Sequence, residues 1–487
     1  MKNVLAMFIE KRFPLKGLSG VRFLSSASTH RNGKDWGTVE GVWVFHRHGD
    51  RTPARSLVAD HMHEKEAAFW ETKVPPIDKK YFKAFCKAFP VSIHESNNQG
   101  QFLDTRKAPY GFLTWKGMDQ MKAVGESLAK RYNPTNGNWH DEWDFQCFST
   151  NYLRTTMSLQ CLLDGMIGLS KDDRKTYQSP LSSSQTSYEN VSAHHIIENA
   201  HGKNQIPIQV RDRRVETLNA FDKYPEIMKS LVQDIVGAST FIDKDGKAGF
   251  LAARLANFLP GLAATSSYGG PSGINWIHAA DHFVCRSAHA TELSRFLHLH
   301  NDPVVEQTLK AMWYPTITHL AWRFRQWYQN LPLLAALAGP PLKEIEKEMI
   351  AAIASPSSRK KVFRIYSCHD VTILGLLYGI NVDFLATEER LKENGINGSP
   401  REKWRFWPEY ASNITFELVR AEDISESGRY FVRILLNGEP VRVLSTREKD
   451  KSSLSVSTFS NLVDELQSHC IIEEIQSEQP SRTVQTA

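Results

Sequence analysis

The stretch of sequence that decides the fold is GVWVFHRHGDRTP, residues 41–53. Its first five residues are apolar and mostly β-branched or aromatic, which predicts a buried β-strand. Gly49 and Pro53 end the strand, and the missing side chain at Gly49 leaves room for a ligand to approach the backbone. In open α/β sheets, ligands bind outside the carboxyl ends of the strands. The polar residues that follow this strand therefore lie where a site is expected.

Two arginines, Arg47 and Arg51, stand on either side of His48. Arginine is a planar, permanently charged donor that suits phosphate oxygens. An imidazole held among phosphate-binding arginines can attack phosphorus itself, because the arginines offset the negative charge that repels a nucleophile. The same cations lower the pKa of His48 and keep the ring neutral in mildly acidic solution.

A second polar cluster, His369-Asp370, follows another β-rich run at residues 362–366. A strand that ends there places both side chains at the same sheet edge as His48. His369 can then bind phosphate, and Asp370 can give a proton to the leaving oxygen. A structural hydrogen bond or a helix cap is the alternative interpretation of such a pair.

The remaining periodicity predicts an α/β protein with an inserted helical cap. Helices are predicted at 114–132, from Leu153 onward and at 303–330, and strands at 144–148, 413–419 and 430–436. The predicted organisation is a targeting leader at 1–39, an α/β catalytic domain formed by 40–170 and 301–470, a helical cap at 171–300 and a polar tail at 471–487.

The composition is that of an ordinary globular chain. The 487 residues are 41% hydrophobic and 23% charged, which excludes global disorder and fibrous structure. No apolar run approaches the roughly 18 residues of a membrane-spanning helix. The net charge of +5 arises in residues 1–34, which hold seven basic residues and one acid. The rest is nearly neutral, so we expect neither nucleic acid nor an anionic membrane as a partner.

The basic, acid-poor leader resembles a mitochondrial presequence and predicts a mitochondrial location, with a cytoplasmic or secreted location as the alternative. The six cysteines are scattered and form no C-x-x-C pair, so a zinc ribbon or a disulfide scaffold is not expected.

A metal site is a competing interpretation of the motif, with His46, His48 and Asp370 as its ligands. Arg47 and Arg51 oppose the binding of a dication there, and we predict neither a metal nor another cofactor.

Together, R-H-G-x-R-x-P at 47–53 and H-D at 369–370 resemble the histidine acid phosphatase family, which shares a superfamily with phosphoglycerate mutases and phytases. Residues 111–120, 149–155 and 407–413 are also similar to family segments. The resemblance extends from about residue 42 to residue 441 in family order. It implies a central mixed sheet flanked by helices, as in the phosphoglycerate mutases, with the helical cap inserted.

The resemblance also implies roles. His48 is the nucleophile that forms a phosphohistidine, and Asp370 is the general acid. Arg47, Arg51 and His369 bind the phosphoryl group, and no metal is needed. Phosphoglycerate mutases use a glutamate acid instead of His-Asp, so the motif favours a phosphatase for small phosphomonoesters with an acidic pH optimum.

One position departs from the family pattern. Where the resemblance leads us to expect a third phosphate-binding arginine, directly before Ser149-Thr150, this chain has Phe148. Arg154 either reaches the same phosphate oxygens or serves as a structural partner on the following helix. Loss of a charge-assisted contact to the phosphoryl group weakens transition-state stabilisation. A weak phosphatase, or an inactive phosphate-binding scaffold of the same fold, is therefore the alternative to an active enzyme.

The leader and the form of residues 149–154 are most similar to the branch that contains mitochondrial lysophosphatidic acid phosphatases. This implies a single-tailed phospholipid substrate, with inositol phosphates as the alternative. Residues 276–296 either line an apolar channel for such a lipid or belong to the core, as apolar residues more often do.

Overall fold

The computed structural model describes twelve stretches of the chain: 37–76, 85–94, 102, 108–134, 139–168, 205–263, 270–297, 302–354, 360–382, 407–421, 430–444 and 453–472. The predicted leader and tail fall almost wholly outside these residues. Their predictions therefore stay sequence-based.

The central element is one mixed sheet, which in the described part of the chain has nine strands. In chain order these strands are β1 (Thr38–Arg47), β2 (Val91–Ile93), β3 (Trp143–Ser149), β4 (Ile208–Val210), β5 (Lys361–Cys368), β6 (Asn413–Arg420), β7 (Tyr430–Leu436), β8 (Glu439–Pro440) and β9 (Ser453–Ser455). Their spatial order is β2-β4-β3-β5-β1-β6-β7-β8, and β9 pairs with β7. Strands β2, β4, β3, β5 and β1 are parallel, whereas β6 to β9 pair antiparallel.

Helices cover both faces of this sheet. Within the described residues they are α1 (His63–Glu71), α2 (Trp115–Tyr132), α3 (Trp139–Glu142), α4 (Leu153–Met166), α5 (Ala220–Lys223), α6 (Pro225–Gly237), α7 (Ser239–Lys247), α8 (Gly249–Phe258), α9 (Trp276–Ala288), α10 (Pro303–Gln329), α11 (Leu331–Ala354), α12 (Asp370–Gly379) and α13 (Val456–Gln467). The predicted fold class, a mixed sheet flanked by helices, is confirmed.

Strand β1 runs through the middle of the sheet and is buried on both faces. Val42 and Val44 pack into the core on the side of α2 and α4. Trp43 and Phe45 pack into the larger core on the side of α10 to α13. A strand covered on both faces needs a continuous apolar run rather than an alternating one, and residues 41–45 supply it.

The predicted elements agree with the structure in type and differ mainly at their ends. The strand expected at 41–45 extends over Thr38–Arg47, and the helix expected from residue 114 begins after Thr114, whose side chain accepts the N–H of Gly117 as an N-cap. Strand β4 lies within the range predicted as the helical cap, yet it pairs with β3 in the central sheet. The helices of that range follow β4, and the cap boundary stays a prediction.

The apolar run at residues 331–342 forms the start of α11, which carries Pro340 and Pro341 inside it. Among the described helices, none combines the length and the hydrophobicity that crossing a membrane requires. The six cysteines are all free thiols.

The topology brings four chain segments to one edge of the sheet. Strands β1, β3 and β5 are adjacent and parallel, so their carboxyl ends lie together. Strand β6 is antiparallel to β1, with Asn413 opposite His46, so the amino end of β6 reaches the same edge. The residues after β1, β3 and β5 and the residues before β6 therefore surround one site.

Candidate active site

The loop after β1 is held by the two neighbouring strands. The backbone N–H of Arg47 donates to Ser412 O at 2.8 Å, and that of His48 donates to Cys368 O at 3.1 Å. The His48 ring is buried, and its Nδ1 lies 2.8 Å from the carbonyl oxygen of Gly49. A carbonyl only accepts hydrogen bonds, so in the neutral ring Nδ1 carries the proton and the lone pair is on Nε2.

The sequence predicted that the missing side chain of Gly49 leaves room for a ligand. In the structure, helices α2 and α4 pack closely against Gly49. A Cβ atom at this position would lie 2.8 Å from the Cα of Gly117 in the first turn of α2. The N–H of Gly49 donates to Ser158 Oγ on α4 at 3.0 Å. The absence of a side chain therefore lets the loop and two helices approach closely, which fixes the backbone on which His48 is mounted.

His48 stays neutral in this environment. Burial lowers its pKa well below the ordinary value, and the charges of Arg154, Arg47 and Arg51 lower it further. As the pH falls through 6.5, the ring therefore keeps its lone pair when an exposed histidine would lose it. A neutral imidazole among cations is the form that can act as a nucleophile.

His369, which follows β5, lies beside His48. The two ring centroids are 5.6 Å apart, and the rings meet edge to face. The Nε2 of His369 is 3.1 Å from Thr150 Oγ1, and its ring meets that of Tyr152 edge to face at 4.9 Å. Burial and then the charge of Arg154 hold the pKa of His369 well below its ordinary value. It is therefore a neutral hydrogen-bonding group of the site.

Asp370 is held in two ways. Its Oδ2 forms an ion pair with Arg47 Nη2 at 2.9 Å and accepts the indole N–H of Trp407 at 3.1 Å. Burial alone raises the pKa of Asp370, but the charges of Arg47 and Arg51 and the hydrogen bond from Trp407 outweigh it and bring the pKa below its usual range. The carboxyl group is thus ionised before a substrate binds.

Arg51 is anchored to α9. Its Nη2 forms an ion pair with Asp281 at 2.9 Å, and its Nη1 donates to Thr52 O at 2.9 Å. The ring of Tyr410 lies next to both loop arginines, 4.2 Å from Arg47 Cζ and 6.0 Å from Arg51 Cζ. The two guanidinium groups are therefore oriented before any ligand arrives.

Arg154, on the first turn of α4, belongs to the same cluster. Among the neighbouring charges, it has the largest effect on the pKa of His48 and also on that of His369. Its Cζ lies 4.2 Å above the ring of Tyr152, whose hydroxyl donates to Asp222 at 2.9 Å. The cluster thus holds a third arginine, six positions after Phe148.

The Phe148 side chain packs in a different place. Its ring stacks on Tyr366 at 5.2 Å, and Tyr366 stacks on Phe45 at 4.3 Å, so three adjacent strands form an aromatic ladder. Arg211 covers the outer face of Phe148 at 3.7 Å and pairs with Glu344. Phe148 therefore completes an aromatic face of the sheet.

Sequence reasoning assigned no role to Trp407 and Tyr410, although it noted their segment. The signal was available once the topology was known: the strand that starts at Asn413 pairs antiparallel with β1, so the residues just before it reach the site. It also missed Asp281 and Thr150, whose positions depend on how α9 and β3 pack against the loop.

The described residues contain no cluster of three or more histidine, cysteine, aspartate or glutamate side chains arranged to hold a metal ion. His46, one half of the competing His-x-His reading, is buried, and its Nδ1 bonds to Arg47 O at 3.2 Å. Burial lowers the pKa of His46 to about 4. What the site does hold is two neutral imidazoles, three guanidinium groups and the carboxylate of Asp370, a set suited to binding and attacking a phosphoryl group.

Comparison with known proteins identifies the family to which the chain belongs. The family model described as histidine phosphatase superfamily (branch 2) matches residues 38–437. Lysophosphatidic acid phosphatase type 6 of Bos taurus is 23% identical over 420 residues, covering 82% of this chain and 77% of that protein. Its Homo sapiens counterpart is 23% identical over 415 residues, with the same coverage. The solved multiple inositol polyphosphate phosphatase of Bifidobacterium longum with phosphate has a TM-score of 0.49 at 12% identity, covering 90% of this chain and 95% of that one.

Proposed function

The chain belongs to branch 2 of the histidine phosphatase superfamily, and we propose that it hydrolyses phosphomonoesters through a phosphohistidine on His48. As a member of this family it is a phosphatase. The observation that carries the mechanism is the 2.8 Å contact between His48 Nδ1 and Gly49 O. Because this carbonyl can only accept, Nδ1 carries the proton and the Nε2 lone pair is available beside Arg47, Arg51 and Arg154.

In the first step, His48 Nε2 attacks phosphorus and the bond from phosphorus to the leaving oxygen breaks. The proton of Asp370 passes to that oxygen, so an alcohol leaves and Asp370 becomes a carboxylate. The three arginines and His369 hold the equatorial oxygens, whose charge they offset in the transition state. The same groups would hold the phosphoryl oxygens in both steps.

In the second step, the Asp370 carboxylate takes a proton from water while the water oxygen attacks phosphorus. The phosphorus–nitrogen bond breaks, inorganic phosphate forms, and His48 returns to its neutral state. One residue thus serves as acid and then as base.

Substrate binding supplies the condition for Asp370 to become an acid. In the free enzyme, Arg47 keeps the pKa of Asp370 low. A bound phosphomonoester brings negative charge that competes for Arg47 and raises the pKa of Asp370. Below about pH 6 the phosphomonoester itself carries a proton that can pass to the carboxylate. Since His48 stays neutral at that pH, an acidic optimum follows.

We propose lysophosphatidic acid as the substrate. Two relatives carry that activity in their names, and the neighbourhood of Asp370 supports an apolar leaving group. The indole of Trp407, which donates to Asp370, packs edge to face on Phe324 at 4.6 Å, and Phe324 packs on Trp327 at 4.5 Å. A leaving group whose oxygen lies beside Asp370 would therefore lie next to these aromatic rings.

The alternative of an inactive phosphate-binding scaffold had its sequence support at Phe148. That ring packs on Tyr366 in the aromatic ladder, so it gives no reason to expect a loss of turnover. The proposed mitochondrial location depends on residues 1–34, which lie outside the described residues, and stays a prediction.

The test is steady-state hydrolysis at mildly acidic pH of two substrates with different leaving groups: p-nitrophenyl phosphate, which releases p-nitrophenolate, and lysophosphatidic acid, which releases a monoacylglycerol alkoxide. His48→Ala is expected to remove turnover of both. Asp370→Asn is expected to slow lysophosphatidic acid hydrolysis by about 10²- to 10⁴-fold and p-nitrophenyl phosphate hydrolysis much less, because p-nitrophenolate leaves without a proton. An alkali-quenched reaction should contain phosphohistidine at residue 48.

Folding of each variant is checked by circular dichroism and thermal unfolding. Equal losses for both leaving groups in Asp370→Asn would remove this residue from the acid role, and turnover by His48→Ala would refute the phosphohistidine. Inositol phosphates, sugar phosphates and phosphotyrosine complete the panel. A preference for inositol phosphates over lysophosphatidic acid would refute the lipid assignment and leave the mechanism standing.

A further inference from the structure

Helix α9 lies against the phosphate-binding loop, although it is distant from that loop in sequence. Asp281, in the middle of α9, forms a two-point ion pair with Arg51: Oδ1 is 2.9 Å from Nη2, and Oδ2 is 3.1 Å from Nη1. The same Oδ2 accepts the backbone N–H of Ala54 at 2.7 Å. Only 13% of the Arg51 side chain and 9% of the Asp281 side chain are exposed, so the pair lies mostly away from water, where such contacts are strong.

This pairing leaves part of the Arg51 guanidinium for a ligand. Of its five N–H groups, two on Nη1 and one on Nη2 are taken by Asp281 and Thr52 O. The second N–H of Nη2 and the N–H of Nε form the remaining edge of the planar fork. An edge with two parallel N–H groups is the geometry that binds two phosphate oxygens at once.

The Asp281 carboxylate is itself held on its other side. Cys285, one turn along α9, donates its thiol hydrogen to Asp281 Oδ1 at 3.5 Å, and its sulfur is 3.4 Å from Tyr410 Oη. Burial and the neighbouring Asp281 raise the pKa of Cys285 well above its ordinary value, so the thiol keeps the hydrogen that it donates. The carboxylate therefore has little freedom to rotate away from Arg51.

A second contact from the same region fixes the residue before Arg51. The Oδ2 atom of Asp50 is 2.6 Å from Nε2 of His289, which follows the last turn of α9, and accepts Thr114 Oγ1–H at 2.5 Å. One turn before His289, Arg286 forms a buried ion pair with Glu66 of α1. Helix α9 is thus fixed to the loop at two points and to the rest of the protein at a third.

We propose that Asp281 is a positioning residue, which holds the Arg51 guanidinium in the orientation that binds the phosphoryl group. This inference rests on the proposed function, since it concerns the same site. It means that α9 completes the phosphate site from outside the sequence motifs. A fixed guanidinium requires no reorientation when the phosphoryl group binds, and loss of such positioning costs rate and affinity even though Asp281 does not touch the substrate.

The experiment compares Asp281→Asn with Glu66→Gln, which breaks the other buried ion pair of α9 and leaves Arg51 untouched. The readouts are the inhibition constant of inorganic phosphate and kcat/KM for p-nitrophenyl phosphate. Asp281→Asn is expected to weaken phosphate inhibition about tenfold and to lower kcat/KM about 10- to 100-fold. Glu66→Gln is expected to lower thermal stability and to leave the phosphate inhibition constant within about twofold of the original.

A double-mutant cycle separates positioning through Arg51 from a general effect. In an Arg51→Ala background, Asp281→Asn should change phosphate inhibition by less than about twofold, because the group that it positions is absent. Asp281→Glu keeps the charge but displaces the carboxylate by one methylene. It serves as the test if Asp281→Asn does not fold, with an expected loss of phosphate affinity of at least about threefold.

Three results would overturn the inference: unchanged phosphate inhibition in the folded Asp281 variant, an equal loss in Glu66→Gln, or full additivity with Arg51→Ala. Each of these requires an unsubstituted enzyme that turns over and is inhibited by phosphate. An unsubstituted enzyme that does neither would instead refute the proposed function, so the two failures are distinguishable.

Discussion

The turns that follow strands β3 and β4 offer a direct comparison. These strands are parallel neighbours, and an arginine after each one stacks on an aromatic ring. After β3, Arg154 lies 4.2 Å above Tyr152; after β4, Arg211 lies 3.7 Å above Phe148. From the stacking alone the two residues are equivalent.

Their charges act in different places. Arg211 donates two hydrogen bonds to Glu344, at 2.5 and 2.8 Å, so its charge is offset by a carboxylate within the fold. Arg154 lowers the pKa of both His48 and His369 more than any other neighbouring charge does. The comparison shows that the role of an arginine follows from the groups on which its charge acts. The distance in sequence between an arginine and a motif does not predict that role.

Among the changes that test this comparison, the largest effect is expected from Arg154→Ala. Removal of one preorganised donor from a phosphoryl site should lower kcat/KM by about 10²- to 10³-fold, and phosphate inhibition should weaken in parallel. Arg154→Lys keeps the charge without the planar fork and should recover part of the loss. Steady-state kinetics with p-nitrophenyl phosphate measures both variants. Activity near that of the original protein in Arg154→Ala would place this residue outside the site.

The matched change on the other strand is Arg211→Ala. Because Glu344 offsets the charge of Arg211, kcat/KM should stay within about threefold of the original value. Stability should fall by about 1–3 kcal/mol, since Glu344 loses a charged partner and Phe148 loses its cover. Urea unfolding measures the second effect. A loss of activity as large as that of Arg154→Ala would contradict the claim that only Arg154 acts on the histidine pair.

The smallest effect on activity is expected from Phe148→Arg. The new guanidinium would lie in the aromatic ladder beside Arg211, so kcat/KM should not rise. Burial of this charge should cost about 2–4 kcal/mol of stability. Phe148→Leu, which removes the ring and adds no charge, is the control and should cost less. A clear gain in kcat/KM would show that the site lacks a cation that this position can supply.

The sequence motifs and the tertiary structure contributed different parts of this site. The run at 41–45 predicts a central strand, since a strand that is covered on both faces is apolar along nearly its whole length. The motifs after β1 and β5 could be placed at one sheet edge because parallel neighbours end together. Arg47, His48, His369 and Asp370 were therefore expected to meet, and they lie together in the structure.

Two predictions were left open because they depend on which way a side chain faces. Phe148 and Arg154 are six residues apart, and sequence could not assign either one to the histidine pair. The pairing of β3 with β5 sets Phe148 opposite Tyr366, on the face of the sheet that Phe45 shares. The start of α4 at Leu153 then sets Arg154 on the first helical turn, where its charge acts on both histidines.

The sequence by itself located the proposed nucleophile, the proposed acid and two of the cations, because those residues lie within a few positions of strand ends and the ends of adjacent parallel strands lie together. Only the tertiary structure decided what holds these groups in place. The groups that hold them come from distant parts of the chain: Asp281 lies on α9, and Tyr410 and Trp407 precede β6. Their contacts with the site form only when these distant segments pack together. The local sequence pattern predicts where a strand lies and where it ends. The partner of a guanidinium group depends on which distant segment packs against it, and the local pattern does not contain that information.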